Sequence, residues 1–165
     1  MKIPVAILVR VSTRKQDTDR QTNELMAVAE QKGWEVLEIC REQISGNAEE
    51  HDRPGLLRAK ELAQSGKIRK ILVHEVSRLA RKNSIAHKFL EEMETLGVSI
   101  YWHAQGIETL LNSGKRNPAA SIMFSLLAEM ARAERETLSE RVRSGLEEAK
   151  RKGKVLGRPI GTKLT

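Results

Sequence analysis

The sequence has one cysteine, four prolines and few aromatic residues. The single cysteine, Cys40, excludes an intramolecular disulfide and suits a reducing compartment. The aromatic residues are two tryptophans, two phenylalanines and one tyrosine, so the core must be largely aliphatic. So few rings offer little on which the bases of a single-stranded nucleic acid could stack. We therefore expect an aliphatic core without disulfides.

Long hydrophobic runs are also missing. A membrane-spanning helix needs about 20 apolar residues, and no stretch of the chain comes near that length. The N-terminal apolar run, residues 3–9, is too short for a secretory signal peptide and ends at Arg10. These absences predict a cytoplasmic protein without a membrane partner.

Positive charge is in excess, with a formal net charge of +7, and it is unevenly distributed. Residues 150–165 contain six lysines and arginines and no acidic residue. An excess of this kind indicates a polyanionic partner, with nucleic acid favoured over a membrane surface.

Short apolar segments alternate with amphipathic ones over the first 102 residues. Residues 3–9, 34–40, 68–73 and 98–102 are predicted strands, and residues 42–52 a loop. The predicted helices run from Asp17 or Asp19 to residue 32, from 54 to about 66, and from 84 to 96. This spacing predicts an α/β fold with a mostly parallel central sheet flanked by helices. The expected inward-facing helix residues are Leu25, Met26, Val28 and Ala29 on the first helix, and Phe89, Leu90, Met93 and Leu96 on the third.

Residues 119–152 contain no proline and one glycine, and they predict a helix roughly 50 Å long. Such a helix is too long for a compact domain to cover. Leu138, Val142 and Ala149 share one apolar stripe in its second half, and its first half, which contains Leu127, is apolar on most sides. We therefore assign Leu127, Leu138 and Val142 to contacts with another subunit; the alternative is a helix that folds back on its own sheet.

Polar residues follow each of the first three predicted strands, and the carboxyl ends of parallel strands meet at one edge of a sheet. Several arginines gathered there repel one another unless an anion lies between them, and the planar guanidinium group matches phosphate oxygens. A serine beside them could attack the phosphate while the arginines stabilise the developing charge. The residues concerned are Arg10 and Ser12, then Glu42, Ser45 and Arg53, and then Arg78 and Arg81.

Competing chemistries lack their motifs. The chain has no glycine-rich phosphate loop and no G-x-S-x-G turn. No tight set of carboxylates indicates a metal-dependent nuclease, although Glu42 and Glu75 are expected near the site. The four histidines show no metal-binding spacing, so we predict no metal centre; they are His51, His74, His87 and His103.

Five stretches, in order along nearly the whole chain, carry a specific resemblance. They are VRVSTRKQDTDRQ, SGNAEEHDRPGL, VSRLARKN, LGVSIYWHAQGIET and AEMARAERETLSERVRSGLEEAKRKGKVLGRP. With them the chain resembles the serine recombinases of the resolvase/invertase family. The resemblance implies a three-layer catalytic domain over residues 1–118, a long oligomerisation helix over 119–152 and a basic extended arm over 153–165. It further implies a sequence-reading domain that is absent from this chain.

The resemblance also implies a reaction. Ser12 would attack a DNA phosphodiester and join a 5′ phosphate, and the released 3′ hydroxyls would later displace it. The partners would be double-stranded DNA and a homodimer that assembles into a synaptic tetramer, with no small-molecule substrate and a nucleoid location. Because the phosphoserine link conserves bond energy, neither ATP nor a metal cofactor is implied.

The resemblance also implies roles for individual residues, because they occupy positions of the family's motifs within the same five stretches. Arg10, Arg53, Arg78 and Arg81 would contact the scissile phosphate, and Gln21 matches a polar position of the active site. Glu134 and Arg135 match a pair where subunits and DNA meet. The expected DNA contacts are Arg135, Lys150, Arg151, Lys152, Lys154 and Arg158, and the expected oligomer contacts include Glu134.

Two departures leave the proton route open. Ser77 and Glu42 stand where aspartate is common in the family. Ser77 is the only support for the alternative, a catalytically silent DNA-binding and dimerisation module of the same fold, and the presence of Ser12 with all four arginines counts against it. A phosphohydrolase for a small ester is a third hypothesis, but it does not need the long helix or the basic tail.

Overall fold

The computed structural model describes residues 1–11, 15–43, 53–75 and 83–157. Strands and helices alternate along them, as the sequence predicts. The strands are β1 (Ile3–Val11), β2 (Trp34–Gln43), β3 (Lys70–Val73), β4 (Ser99–Trp102) and β5 (Ile107–Glu108). The helices are α1 (Lys15–Lys32), α2 (Pro54–Gln64), α3 (Asn83–Thr95) and α4 (Pro118–Arg151).

The strands form one sheet in the order β2-β1-β3-β4-β5. The first four strands are parallel, and β5 pairs with β4 in the antiparallel direction. The predicted mostly parallel sheet is therefore confirmed. The two-residue strand β5 was not predicted, since so short a segment has no readable periodicity. The strand order changes direction between β1 and β3, which is where open α/β sheets form their binding crevices.

Strand β1 lies at the centre and is buried on both faces. Its residues Val5, Ile7 and Val9 pack with α1, whereas Ala6 and Leu8 belong to the cluster formed with α2, α3 and α4. The alternation follows from the two-residue period of a strand. The protein thus has three layers, with α1 on one side of the sheet and the other three helices opposite.

Several predicted boundaries and faces were wrong. Helix α1 begins at Lys15, two residues before Asp17, and β2 continues to Gln43, so Glu42 belongs to a strand rather than to a loop. Met26 and Leu96 are exposed although they were placed in the apolar stripes. Helix α1 ends at Lys32 as predicted, directly before Gly33, which has a positive φ, whereas α3 ends at Thr95, one residue before the predicted Leu96.

Helix α4 begins where Asn117 accepts a hydrogen bond from the Ala119 backbone N–H at 3.1 Å. Its first half packs on α3 and its second half projects beyond the domain. Leu127 is 6% exposed and lies in the core of its own chain, so its assignment to an oligomer surface was wrong. The buried residues of the first half are Ala120, Phe124, Leu127 and Ala131.

Among the helices of residues 15–43, 53–75 and 83–157, none combines the length and the apolar character that a membrane span requires.

Candidate active site

A cleft opens at the carboxyl edge of the sheet, between the ends of β1 and β3. Five separate parts of the chain meet there, because parallel strands end at the same edge. The lining residues are Leu8, Val9 and Arg10 from β1, Gln21 from α1, Glu42 from β2, Arg53 before α2, and Val73, His74 and Glu75 at β3.

Arg53 and Glu42 form the buried polar part of this cleft, and each is 2% exposed. The Nε atom of Arg53 lies 3.9 Å from Oε1 of Glu42. The other carboxylate oxygen, Oε2, accepts a hydrogen bond of 2.7 Å from the Leu56 backbone N–H. Glu42 therefore caps the first turn of α2 from a neighbouring strand, and that contact positions Arg53, the residue just before the helix.

Burial raises the pKa of Glu42 above its ordinary range. The Leu56 N–H and the charge of Arg53 both oppose this shift without cancelling it. Among the described residues, Oε1 has no hydrogen-bond partner. Oε1 of Glu42 and Nε of Arg53 therefore lie near each other, at 3.9 Å, without a hydrogen bond between them.

Glu42→Gln should change how stability depends on pH. With its pKa raised in the folded state, Glu42 loses its proton at lower pH when the chain is unfolded. Its contribution to the free energy of unfolding therefore falls as pH rises through this interval. We therefore subtract the free energy of unfolding of Glu42→Gln from that of the wild type. This difference should become more negative as pH increases, and urea unfolding across a pH series measures it.

Glu38→Gln is the matched control on the same strand. Arg58 donates a hydrogen bond to the Glu38 carboxylate and lowers the pKa of Glu38. The free energy of unfolding of the wild type minus that of Glu38→Gln should therefore become more positive as pH rises. A difference for Glu42→Gln that is constant, or that has the same sign of slope as Glu38→Gln, would contradict the assignment.

Gly55 allows α2 to approach β2 closely enough for this arrangement. A Cβ atom at position 55 would lie 2.7 Å from the Arg41 carbonyl oxygen and 2.9 Å from the Glu42 backbone nitrogen. Both are backbone atoms, so a side chain here requires the helix and strand to separate. Arg53 and Leu56 would move with that helix.

Gly55→Ala should therefore lower the free energy of unfolding by about 2 kcal/mol, the usual scale of overpacking. Gly145→Ala is the control, because it lies in the exposed half of α4 and a Cβ atom there would meet no atom within 4 Å. That change should stabilise the protein by about 0.5–1 kcal/mol through helix propensity. Urea unfolding of both variants tests this, and a Gly55→Ala protein as stable as wild type would refute the close approach.

Three of the predicted catalytic residues meet in the cleft. Arg10 is the penultimate residue of β1 and the register partner of Glu42, and Gln21 is buried on the inner side of α1. Arg53 completes the set. Ser12, Arg78 and Arg81 lie outside the described residues, as do Ser45 and Ser77.

Glu134 has an intrachain role that its sequence position does not suggest. Its carboxylate accepts hydrogen bonds from the Asn83 backbone N–H at 3.2 Å and from Asn83 Nδ2 at 2.6 Å. It thereby caps the start of α3 and connects α4 to that helix. A groove beside this contact is lined by Met130, Leu138 and Arg135 among others.

The predicted DNA-binding residues lie on the exposed outer part of α4 and just beyond it. Arg135, Lys150 and Arg151 are exposed, and Arg151 and Lys152 both pair with Glu148. Gly153, with φ of 77°, lets the chain leave the helix before Lys154. Arg158 lies outside the described residues.

Comparisons with known proteins agree with one another. Residues 5–155 match the family model described as resolvase, N terminal domain. Serine recombinase gin of Escherichia phage Mu is 32% identical over 151 residues, which are 92% of this chain and 70% of that protein. The transposon Tn2501 resolvase of Escherichia coli is 29% identical over 152 residues, covering 91% of this chain and 73% of that protein.

A solved structure shows the same fold. The resolvase family site-specific recombinase from Streptococcus pneumoniae superposes with a TM-score of 0.71 at 26% sequence identity. The superposition covers 91% of this chain and 99% of that one.

Proposed function

The chain belongs to the resolvase family, and we propose that it is the catalytic domain of a site-specific DNA recombinase that cleaves and rejoins strands through Ser12. The relatives named serine recombinase and resolvase support DNA strand cleavage and rejoining as its activity. The covalent mechanism and the arginine roles are inferred from the match of this chain's motifs to the family and from the meeting of Arg10, Gln21 and Arg53 in one cleft.

The buried guanidinium of Arg53 is the observation that carries the proposal. Arg53 is 2% exposed, and it is held at the cleft by the hydrogen bond that connects Glu42 of β2 to Leu56 of α2. Arg10 brings a second guanidinium to the same cleft. A guanidinium group can donate two parallel hydrogen bonds to the oxygens of a phosphodiester, so this pair of arginines suits that anion. In the chain, Ser12 follows the last residue of β1 directly.

The reaction is a pair of transesterifications. Attack by the Ser12 hydroxyl forms an Oγ–P bond and breaks the bond between phosphorus and the 3′ oxygen. Ser12 loses one proton and the leaving 3′ oxygen gains one, so the step is balanced. Rejoining is the reverse attack by a 3′ hydroxyl. Because one ester replaces another, no nucleotide cofactor is needed, and positioning with electrostatic stabilisation supplies the catalysis.

Arg10 and Arg53 bind the phosphate and stabilise the charge that develops on its oxygens. Gln21 is buried at the same cleft and contributes hydrogen-bonding capacity from α1. We assign Arg78 and Arg81 to the same phosphate from their positions in the sequence. Glu42 positions Arg53 through its contact with α2 and takes no part in the bond changes.

Helix α4 supports a homodimer. Leu138, Val142 and Ala149 lie 18 residues, or about five turns, after Ala120, Phe124 and Ala131 respectively. They therefore continue the helix face that the first half buries in its own domain. Leu138 and Val142 are 62% and 54% exposed, so this face is available to a second copy. We propose that the dimer further assembles into a synaptic tetramer on double-stranded DNA, with the basic end of α4 on the duplex.

A covalent-trapping assay tests the function. The chain is fused after Thr165 to a sequence-specific DNA-binding domain and incubated, in EDTA, with DNA that carries paired sites around a randomised centre. We expect protein joined to 5′ DNA ends on a denaturing gel, and sequencing of the trapped DNA would reveal any preference at the centre. If binding is confirmed and no adduct forms, the silent module is favoured instead.

A further inference from the structure

Two histidines and a glutamate meet at the carboxyl edge of the sheet, beside the proposed phosphate cleft. His74 directly follows β3 and His103 directly follows β4. Val73 and Trp102 are partners in the parallel register, so the next residue of each strand emerges side by side. Glu24 reaches both rings from α1.

The three side chains offer ligand atoms at one point. Oε2 of Glu24 lies 3.0 Å from Nε2 of His74 and 3.7 Å from Nε2 of His103. All three candidate ligand atoms lie within 4.8 Å of one another. Ligands of a tetrahedral zinc ion are each about 2.0–2.2 Å from the metal, so small side-chain rotations bring these atoms into range.

The two rings are not committed to other partners within the part of the chain that the structure describes. Both Nδ1 atoms are buried, and no hydrogen-bond donor or acceptor there reaches either of them. Neither tautomer is therefore imposed by a described neighbour, and each Nε2 can present a lone pair toward Glu24. The three side chains are partly exposed, so an ion from solvent has access.

We propose that Glu24, His74 and His103 bind one zinc ion, with water in the fourth position. Two imidazoles and one carboxylate are a ligand set that zinc uses in proteins, whereas magnesium and calcium prefer oxygen ligands only. The bound ion links α1 to the ends of β3 and β4. His74 also lines the phosphate cleft, so the ion adds positive charge at the edge of that cleft.

This site has no signature in the sequence. Positions 24, 74 and 103 are separated by 50 and 29 residues, and no local spacing among the histidines indicates a metal. The ligands come together because two parallel strands end in register and α1 crosses the same edge.

Calorimetric titration of zinc into the untagged chain tests the proposal. We expect one equivalent to bind to the wild type and this phase to be lost in Glu24→Gln and in His103→Gln. His87→Gln is the matched control, because His87 pairs with Glu91 at 3.6 Å in a two-residue arrangement on α3. That variant should keep the full binding phase. Circular dichroism confirms that each variant is folded.

Cobalt and magnesium give independent readouts. Cobalt should produce the visible absorption of a four-coordinate ion in the wild type and not in His103→Gln, and magnesium should give no binding phase. Absence of a one-equivalent phase in the folded wild type would overturn the proposal. So would a phase unchanged in both Glu24→Gln and His103→Gln, or one lost equally in His87→Gln. None of these outcomes bears on strand cleavage, which the trapping assay measures in EDTA.

Discussion

Ser12→Ala is expected to abolish covalent attachment of the protein to DNA while leaving its fold and its DNA binding intact. The methyl group of alanine offers no oxygen to form the phosphoester, whereas the arginines that we propose to bind the phosphate remain. Adduct formation in the trapping assay should therefore fall below detection, a complete rather than a partial loss. Binding of the same DNA, measured by gel shift, should be unchanged.

Ser139→Ala is the matched control for this change. Ser139 is an exposed serine on the projecting part of α4, far along the chain from the proposed nucleophile. It should form adducts at the wild-type level. Adducts that persist in Ser12→Ala would refute the nucleophile, and mapping of the DNA-linked peptide would then identify the residue responsible.

Replacing Leu138 and Val142 together with aspartate is expected to abolish self-association. Both side chains lie on the uncovered continuation of the buried face of α4, so the charges do not disturb the core of their own chain. In a dimer they would bury two unpaired carboxylates, each costing several kcal/mol. Since about 1.4 kcal/mol corresponds to a factor of ten, association should weaken by more than about a hundredfold. Sedimentation velocity at several protein concentrations measures this.

Thr137→Asp with Ser144→Asp adds the same charge at the same level of the helix, but on a different side. Both residues are exposed, and this variant should associate like the wild type. Identical sedimentation of the Leu138 and Val142 variant and the wild type would contradict the proposed interface. So would a wild-type chain that remains monomeric at every concentration and on paired-site DNA.

Local patterns were sufficient for most of the elements. The uninterrupted apolar run of β1 predicted a strand buried on both faces, and Pro54 correctly placed the first residue of α2. These signals are reliable because the period of a strand or helix and the chemistry of its ends are properties of neighbouring residues. The resemblance to known recombinases then selected Arg10, Arg53 and Gln21, and the structure places all three in one cleft.

Predictions from residue patterns failed where the burial or the contacts of a side chain are set by an element distant along the chain. Glu42 was placed in a loop, yet it is buried in β2 and bonded to the first turn of α2. Leu127 and Leu138 have the same apolar character on one helix, but only Leu127 is covered by its own domain. Periodicity identifies an apolar face and does not state what covers it.

The sequence by itself determined the order of the first four strands and of the helices and the basic end of the chain, because these depend on composition and local spacing. Only the tertiary structure decided that Glu42 lies beside Arg53, that α4 projects beyond Ala131, and that Glu24 meets His74 and His103. Each of those facts depends on strand order and register, which bring together residues that are far apart along the chain.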